Sequence, residues 1–162
     1  MQIWNLSQSF TRPNNTTAYA SGQLVANSMT AGSVVPMAFT VGGNSMPGQF
    51  RLSRIRLFKS GSVNTNAQFR LHLYSSLPVA ANGDGGAWST SGAAGYLGAI
   101  DVTSMKAFTD GCCDVGDDAA GAEHLIRLAG GTVFYGLIEA RAAYTPLANE
   151  QFTVTPETVE EW

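Results

Sequence analysis

Charge is what this 162-residue sequence has least of: nine Lys and Arg and twelve Asp and Glu make up 13% of it, about half the ~25% of an average soluble domain. The balance is slightly acidic, with a net charge of -3 and a pI near 5.2. No basic excess is available for phosphate contacts, so nucleic acid is not expected as a partner. Long hydrophobic runs are missing too. The longest mostly apolar stretch, Val34 to Val41, falls far short of the ~20 residues a membrane helix requires, so no membrane partner is expected. Met1-Gln2-Ile3-Trp4-Asn5-Leu6 has neither a charged n-region nor a continuous apolar h-region, so no secretory signal is expected. Glycosylation sequons at Asn5, Asn14 and Asn15 therefore carry no weight.

Cysteine and histidine are scarce. Cys112 and Cys113 are the two cysteines, and adjacent residues bridge only with strain, because disulfide geometry wants Cα atoms ~5.5 Å apart. A disulfide framework is thereby excluded, which fits assembly in a reducing cytoplasm. His72 and His124 are the two histidines. Metal or nucleophile chemistry would have to be built from this small stock or from carboxylates.

What is present in quantity is small and apolar. Hydrophobic residues make up 44%, with 18 Gly, three Trp, five Tyr and eight Phe, and Ser, Thr, Asn and Ala fill most of the gaps. That content excludes intrinsic disorder. The length suits one domain spanning 1–162 that buries roughly 70% of its unfolded surface. A surface short of charge and rich in small polar residues is suited to meeting something besides bulk water.

No segment carries a convincing helical period. Apolar and polar residues alternate over short runs punctuated by Gly, Asn, Ser or Pro, which is the pattern of strands joined by turns. Gln68 to Tyr74 is the clearest, with Phe69, Leu71 and Leu73 on one face and Arg70, His72 and Tyr74 on the other. Phe50 to Phe58 also alternates, but its apolar phase changes near Arg54, where a β-bulge would restore the register. Further strands are expected at Gln23 to Asn27, Val34 to Thr40, Gly95 to Val102, His124 to Leu128, Thr132 to Ala143 and Gln151 to Thr155. Ile3 to Phe10 adds another strand or, as part of residues 1–10, an extended arm. Thr132 to Ala143 is apolar on both sides and reads as a central strand packed on both faces, or one partly covered by a neighbouring subunit. Eight or nine short strands without an internal period predict an all-β fold: a two-sheet antiparallel sandwich, of jelly-roll type given its irregular, Gly-rich loops. The longest loop runs from Ser75 to Ala94, the second irregular segment from Thr109 to Gly121, and residues 157–162 form an acidic tail, frayed or docked on a partner.

Each candidate site has an ordinary reading beside it. Asp110, Asp114, Asp117 and Asp118 crowd around the cysteines and could offer calcium its oxygens, but they lack EF-hand spacing, and a solvated turn explains them as well. No metal or other cofactor is expected. A nucleophilic triad from Cys112 or a serine with His124 and an Asp finds no Gly-x-Ser-x-Gly elbow to support it. Both histidines read as surface or interface residues, and the chain is not expected to be an enzyme. Gly83, Gly85 and Gly86 lack the strand–loop–helix context of a phosphate loop. Trp88 and Tyr96 flank a glycine-rich stretch and could stack on sugars; the simpler reading has Trp88 anchoring the long loop. Arg51, Arg54, Arg56 and Lys59 are the one basic concentration. Arg54 and Arg56 share a face suited to carboxylates of an adjacent subunit, or form an exposed, charge-decorated strand.

The run Ser9-Phe10-Thr11-Arg12-Pro13-Asn14-Asn15-Thr16-Thr17-Ala18-Tyr19-Ala20-Ser21-Gly22-Gln23-Leu24-Val25-Ala26-Asn27-Ser28 resembles the opening of small virion proteins of tailed bacteriophages that sit on the capsid as cement or decoration. Phe69-Arg70-Leu71-His72-Leu73-Tyr74, followed by Pro78 and a Gly-rich loop, is similar too, so that the resemblance covers about half the chain. It implies a structural virion protein of β-sandwich or jelly-roll type on the capsid surface, made in the host cytoplasm. Its implied partner is the major capsid protein, whose subunits it would bridge as a homo-oligomer, with a trimer favoured. Candidate interface residues are Trp4, Phe10, Arg12, Arg54, Arg56, Trp88 and Trp162. The alternative is a carbohydrate- or host-surface-binding module of a phage fibre or spike.

Overall fold

Short alternating segments can satisfy their backbone groups only by pairing with one another, and in the computed structural model they do so as two antiparallel sheets. The structure describes residues 3–41, 49–89, 94–116, 124–128 and 131–160, and among them are twelve strands and no helix. The first six are β1 (Ile3–Asn5), β2 (Gln8–Thr11), β3 (Gln23–Val25), β4 (Met37–Thr40), β5 (Gln49–Lys59) and β6 (Phe69–Tyr74). The remainder are β7 (Tyr96–Val102), β8 (Lys106–Phe108), β9 (Gly111–Gly116), β10 (His124–Arg127), β11 (Val133–Ala140) and β12 (Gln151–Glu160).

The larger sheet runs β1-β12-β5-β9-β8, with β10 also on β5 and β2 also on β12. The smaller runs β3-β11-β6-β7, with β4 also on β11. Long strands form the middle of each sheet, and pairs of short strands divide their flanks. Thus β10 covers Gln49 to Leu52 and β9 covers Ile55 to Lys59 of the same β5 edge. The division falls where the apolar phase changes: opposite β12, Glu157 faces Arg54 and Thr158 faces Leu52, so Ser53 is the extra residue of a bulge. Phe50 and Leu52 before it, and Ile55 and Leu57 after it, thereby all reach the core.

Between the sheets, Phe134 of β11 meets Phe39 at 5.0 Å and Phe50 at 5.4 Å, while Phe69 and Phe10 approach Phe152 at 5.3 and 5.6 Å. Strand β11 is apolar on both faces, as expected. Phe134 and Ile138 enter this main core, whereas Leu137 joins Leu24, Ala26, Tyr74 and Ala80 in a second cluster on the outside of the smaller sheet. The cover there comes from the chain itself. The segment Ser75–Ser89 folds back over the face, pinned by Leu24 N to Gly86 O at 2.9 Å and Trp88 N to Gly22 O at 2.7 Å.

Several expectations are corrected. The irregular segment after Thr109 holds a strand: β9 lies between β5 and β8, with Cys112 fully buried. Gly111 permits the approach, since a Cβ there would stand 2.5 Å from the Lys59 carbonyl oxygen. The last strand does not stop at Thr155, because β12 continues to Glu160 with β1 on one side and β5 on the other. The strands expected from Gln23 and Val34 are shorter, ending at Val25 and starting at Met37 respectively.

Candidate functional site

Arg12 follows the last residue of β2, and its N–H donates to the Glu150 carbonyl at 2.9 Å, which turns the side chain inward. There the guanidinium meets Asp84 from the long loop, Nη2 to Oδ2 at 2.8 Å, with both side chains almost completely buried. Asp84 Oδ1 accepts from the Tyr19 hydroxyl at 2.5 Å and from Ala26 N–H at 2.8 Å. Arg12 Nε donates to the same Tyr19 hydroxyl, and Nη1 to the Leu147 carbonyl at 3.2 Å. Burial opposes the charge on Arg12, but Tyr19 and Asp84 outweigh it and its pKa rises. Burial, reinforced by Asp84, drives the Tyr19 phenol well above its ordinary range, so it stays protonated as a donor.

Tyr19 stacks on Tyr144 at 6.4 Å, which leads into a second buried network. The Tyr144 hydroxyl lies 2.6 Å from both Glu150 oxygens. Lys59 Nζ donates to Glu150 Oε1 at 3.2 Å and to the Gly61 and Val63 carbonyls at 2.6 and 2.7 Å. All three ammonium hydrogens are thereby matched, as a fully buried Lys requires.

A cleft of about 140 Å³ opens beside the first network, lined by Asn15, Thr17, Ala18, Tyr19, Gln23, Met29, Asp84 and Gly85. Glycines shape this corner. A Cβ on Gly83 would stand 2.1 Å from the Met29 carbonyl oxygen, and Gly85 has a positive φ of 76° with open space where its side chain would be.

A second cluster lies on the outer face of the smaller sheet. His72 is stacked on Trp88 at 4.0 Å. Its Nε2 lies 2.7 Å from Glu139 Oε2 and its Nδ1 3.1 Å from the Tyr96 hydroxyl. A carboxylate only accepts, so Nε2 carries the hydrogen and Nδ1 accepts from Tyr96. Burial lowers the His72 pKa, helped by Arg70 and Arg141 and opposed by Glu139, which favours the neutral imidazole. Arg141 Nη1 donates to the other Glu139 oxygen at 2.7 Å, and Arg70 grips Asp101 through two hydrogen bonds of 2.6 and 2.9 Å. Both ring nitrogens and one ring face of His72 are thus engaged within the fold, so it locks the loop rather than presenting a base.

These positions revise the sequence reading residue by residue. Arg12, an interface candidate, is buried inside the fold, and His72, read as a surface residue, is 7% exposed. Phe10 stacks on core residue Phe152. Trp88 anchors the loop, the simpler of its two readings. Arg54 and Arg56 do share the open face of the larger sheet, and both pair with Glu157 of the same chain, Arg54 Nε at 2.5 Å and Arg56 Nη2 at 3.0 Å. Trp4 sits opposite Thr158 in β1; its side chain, Trp162, Asp117 and Asp118 lie outside the described residues. Asp110 is exposed and Asp114 accepts from Ser104 N–H at 2.8 Å. Among the described residues no three His, Cys, Asp or Glu side chains converge as a metal site would need. Cys112 and His124 lie opposite Lys59 and Leu52 on one β5 edge, about 20 Å apart at strand rise, so they do not form a dyad. Both cysteines are free.

Tyr19, Lys59, Asp84, Glu139, Tyr144 and Glu150 were not legible as partners from the sequence. No local signal marked them, since a Lys closing a strand that also carries Arg51, Arg54 and Arg56 is ordinarily solvent-exposed. No protein-family model matches the chain, and no curated protein sequence matches it. Among the described residues no helix is long and apolar enough to cross a membrane.

Proposed function

We propose that the chain is a structural virion protein of a tailed bacteriophage, a non-enzymatic cement or decoration that binds the outer capsid and bridges major capsid subunits. The reading includes a homo-oligomer, with a trimer favoured, and the jelly-roll connectivity of such proteins. One observation carries it beyond the resemblance. Of nine basic and twelve acidic side chains, Arg12, Lys59, Asp84, Glu139 and Glu150 are buried, so the outer surface is poorer in charge than the composition alone implies. Exposed apolar side chains remain on it, with Val35 67%, Leu77 61%, Met29 57% and Phe108 56% exposed. A neutral surface of this kind has a small desolvation cost when it packs on another protein, and several modest contacts made by one oligomer add up to firm binding.

The test is sedimentation of the purified chain with expanded empty heads of the phage that encodes it, beside light scattering of the chain alone. Saturable binding by an oligomer at a fixed copy number per capsid subunit is expected. A monomer that stays in the supernatant, and is missing from purified particles, overturns the reading.

The second reading, a carbohydrate- or host-surface-binding module, is favoured by Tyr96, which is 46% exposed beside the His72–Trp88 stack. It predicts glycan-dependent quenching of tryptophan fluorescence that Trp88→Phe removes. Cement activity alone predicts none.

A further inference from the structure

We propose that Lys59 and Glu150 join as an intramolecular isopeptide, an amide between Lys59 Nζ and the Glu150 side-chain carboxyl that ties the end of β5 covalently to the start of β12. Both side chains are 0% exposed, with Nζ 3.2 Å from Glu150 Oε1. The pairing of β5 with β12 holds their backbones in place, since Lys59 faces Phe152 and Ser60 N–H donates to the Gln151 carbonyl at 2.9 Å. Gly61 lets the carboxylate seat beside the ammonium, because a Cβ there would stand 2.1 Å from Glu150 Oε1. Aromatic rings close the site: Tyr144 lies 4.9 Å under Nζ, and Phe69 meets the Tyr144 and Phe152 rings at 5.3 Å. Two charges kept in such a dry place are costly, and forming the amide removes both.

The contacts lay out the steps. The ammonium donates to the Gly61 and Val63 carbonyls and to Glu150 Oε1. Passing the third of these hydrogens to Oε1 leaves a neutral amine and a carboxylic acid. The lone pair so freed is directed at the carboxyl group, while the other two hydrogens stay on their carbonyls. Nζ then adds to Cδ, and negative charge develops on Oε2. The Tyr144 hydroxyl lies 2.6 Å from either carboxyl oxygen, so it can donate to that charge. Burial, reinforced by Glu150, raises the Tyr144 pKa, which keeps the hydroxyl protonated as a donor. A second Nζ hydrogen passes to Oε1, the Cδ–Oε1 bond breaks, and one water leaves. The product is a neutral amide, and no oxidant, metal or cofactor is consumed.

Fixed alignment takes the place of chemical activation here. Well-oriented intramolecular pairs react as though one partner were present at on the order of 10⁵ M, and a site that excludes water protects the product from hydrolysis. The inference does not rest on the capsid reading, since both reacting groups and the donor belong to one chain.

The experiment is mass spectrometry of the purified full chain. Its intact mass should lie one water, about 18 Da, below the sequence mass, and fragmentation of a digest should find the loss on a branched peptide joining Lys59 to Glu150. Glu150→Gln should reach the same product by losing one ammonia, about 17 Da from its own sequence mass, whereas Lys59→Met should lose nothing. In freshly synthesised chains, Tyr144→Phe should slow the mass loss by about a hundredfold; equal rates would overturn the role given to its hydroxyl. A wild-type mass equal to the sequence mass overturns the proposal. So does a lost water mapped to Asp84-Gly85 or Asp110-Gly111, where ring closure of an aspartate on the next backbone nitrogen gives the same mass change.

Discussion

The two sheets share one core but differ on their outer faces. The larger sheet leaves its outer face open, with Arg54 and Arg56 paired to Glu157 at side-chain exposures of 53% and 46%. The smaller sheet is roofed by the chain itself, so that residues expected to face water are enclosed: His72 and Tyr74 are 7% and 2% exposed. Ion pairing follows the difference where the cover reaches, while Arg70–Asp101 at the β6–β7 side of the smaller sheet stays 31% and 45% exposed. On the open face it is solvent-screened and worth little. Under and beside the roof, Arg12–Asp84 and His72–Glu139 are hydrogen-bonded in a poorly solvated interior, where losing one partner strands the other. Similar residue types thus decorate one sheet and hold the cover on the other.

The largest effect should come from the residue that ties the roof to the rest of the fold. Asp84→Ala leaves the Arg12 guanidinium buried without its counter-charge, and removes the acceptor of Tyr19 and Ala26 N–H. A loss of about 3–5 kcal/mol is expected in urea unfolding. A loss below about 1 kcal/mol would mean the roof is held by apolar contact alone. Trp88→Ala should come next. Its ring is half-buried, so about 2 kcal/mol is expected, below the ~3–5 of a fully buried aromatic. Hydrogen exchange should speed up within Ser75–Ser89 and stay unchanged in β12; uniform acceleration would erase the distinction between roof and sheet.

The roof also explains what could and could not be read from sequence. On β6, the inner residues Phe69, Leu71 and Leu73 were legible from period-two alternation, and the bulge before Arg54 from the phase shift of Phe50–Leu52 against Ile55–Leu57. Both features are local and carry their own pattern. Strand β9 was not legible, because Gly111, Asp114 and Gly116 are turn-forming types; its strand conformation comes from pairing with β5 and from burial of Cys112. The candidate sites were least legible. Arg12 and Asp84 are joined only through the fold of the roof, and nothing around either residue names the other. Glu139 faces Arg70 across adjacent strands, two residues from the His72–Leu137 pair and so on the same face, and this contact becomes readable only once β6 and β11 are known to pair.

Acid sharpens the contrast between the faces through different pH windows. The folded pKa of His72 lies below its ordinary value of 6.5, chiefly because burial disfavours the imidazolium. Between those two values the unfolded chain binds a proton that the folded chain does not. Stability should therefore be level above about pH 6.5 and fall as pH drops toward the folded value. His72→Gln should flatten that slope in urea melts taken from pH 7 to 5; an unchanged slope would assign it to another group. Glu157 on the open face is also depressed, mainly by its hydrogen bond from Arg54, from an ordinary value of 4.5. Its contribution is present above that value and fades only below it. The open face should be insensitive in the window where the roof responds.

The smallest effect on stability should come from the open face itself. Arg54→Glu combined with Arg56→Glu places acids beside Glu157, which is 14% exposed, yet the two replaced side chains are 53% and 46% exposed and can turn toward water, so a melting shift of about 2 °C or less is expected. Head binding is where the same change should register. If this face meets the capsid, reversing both charges should weaken co-sedimentation by about tenfold or more through like-charge contact with a surface chosen to receive Arg. Trp88→Ala should leave it intact. If instead the double reversal binds normally while Trp88→Ala fails, the capsid contact lies on the roofed face, and the open sheet is a charged edge kept clear of other proteins.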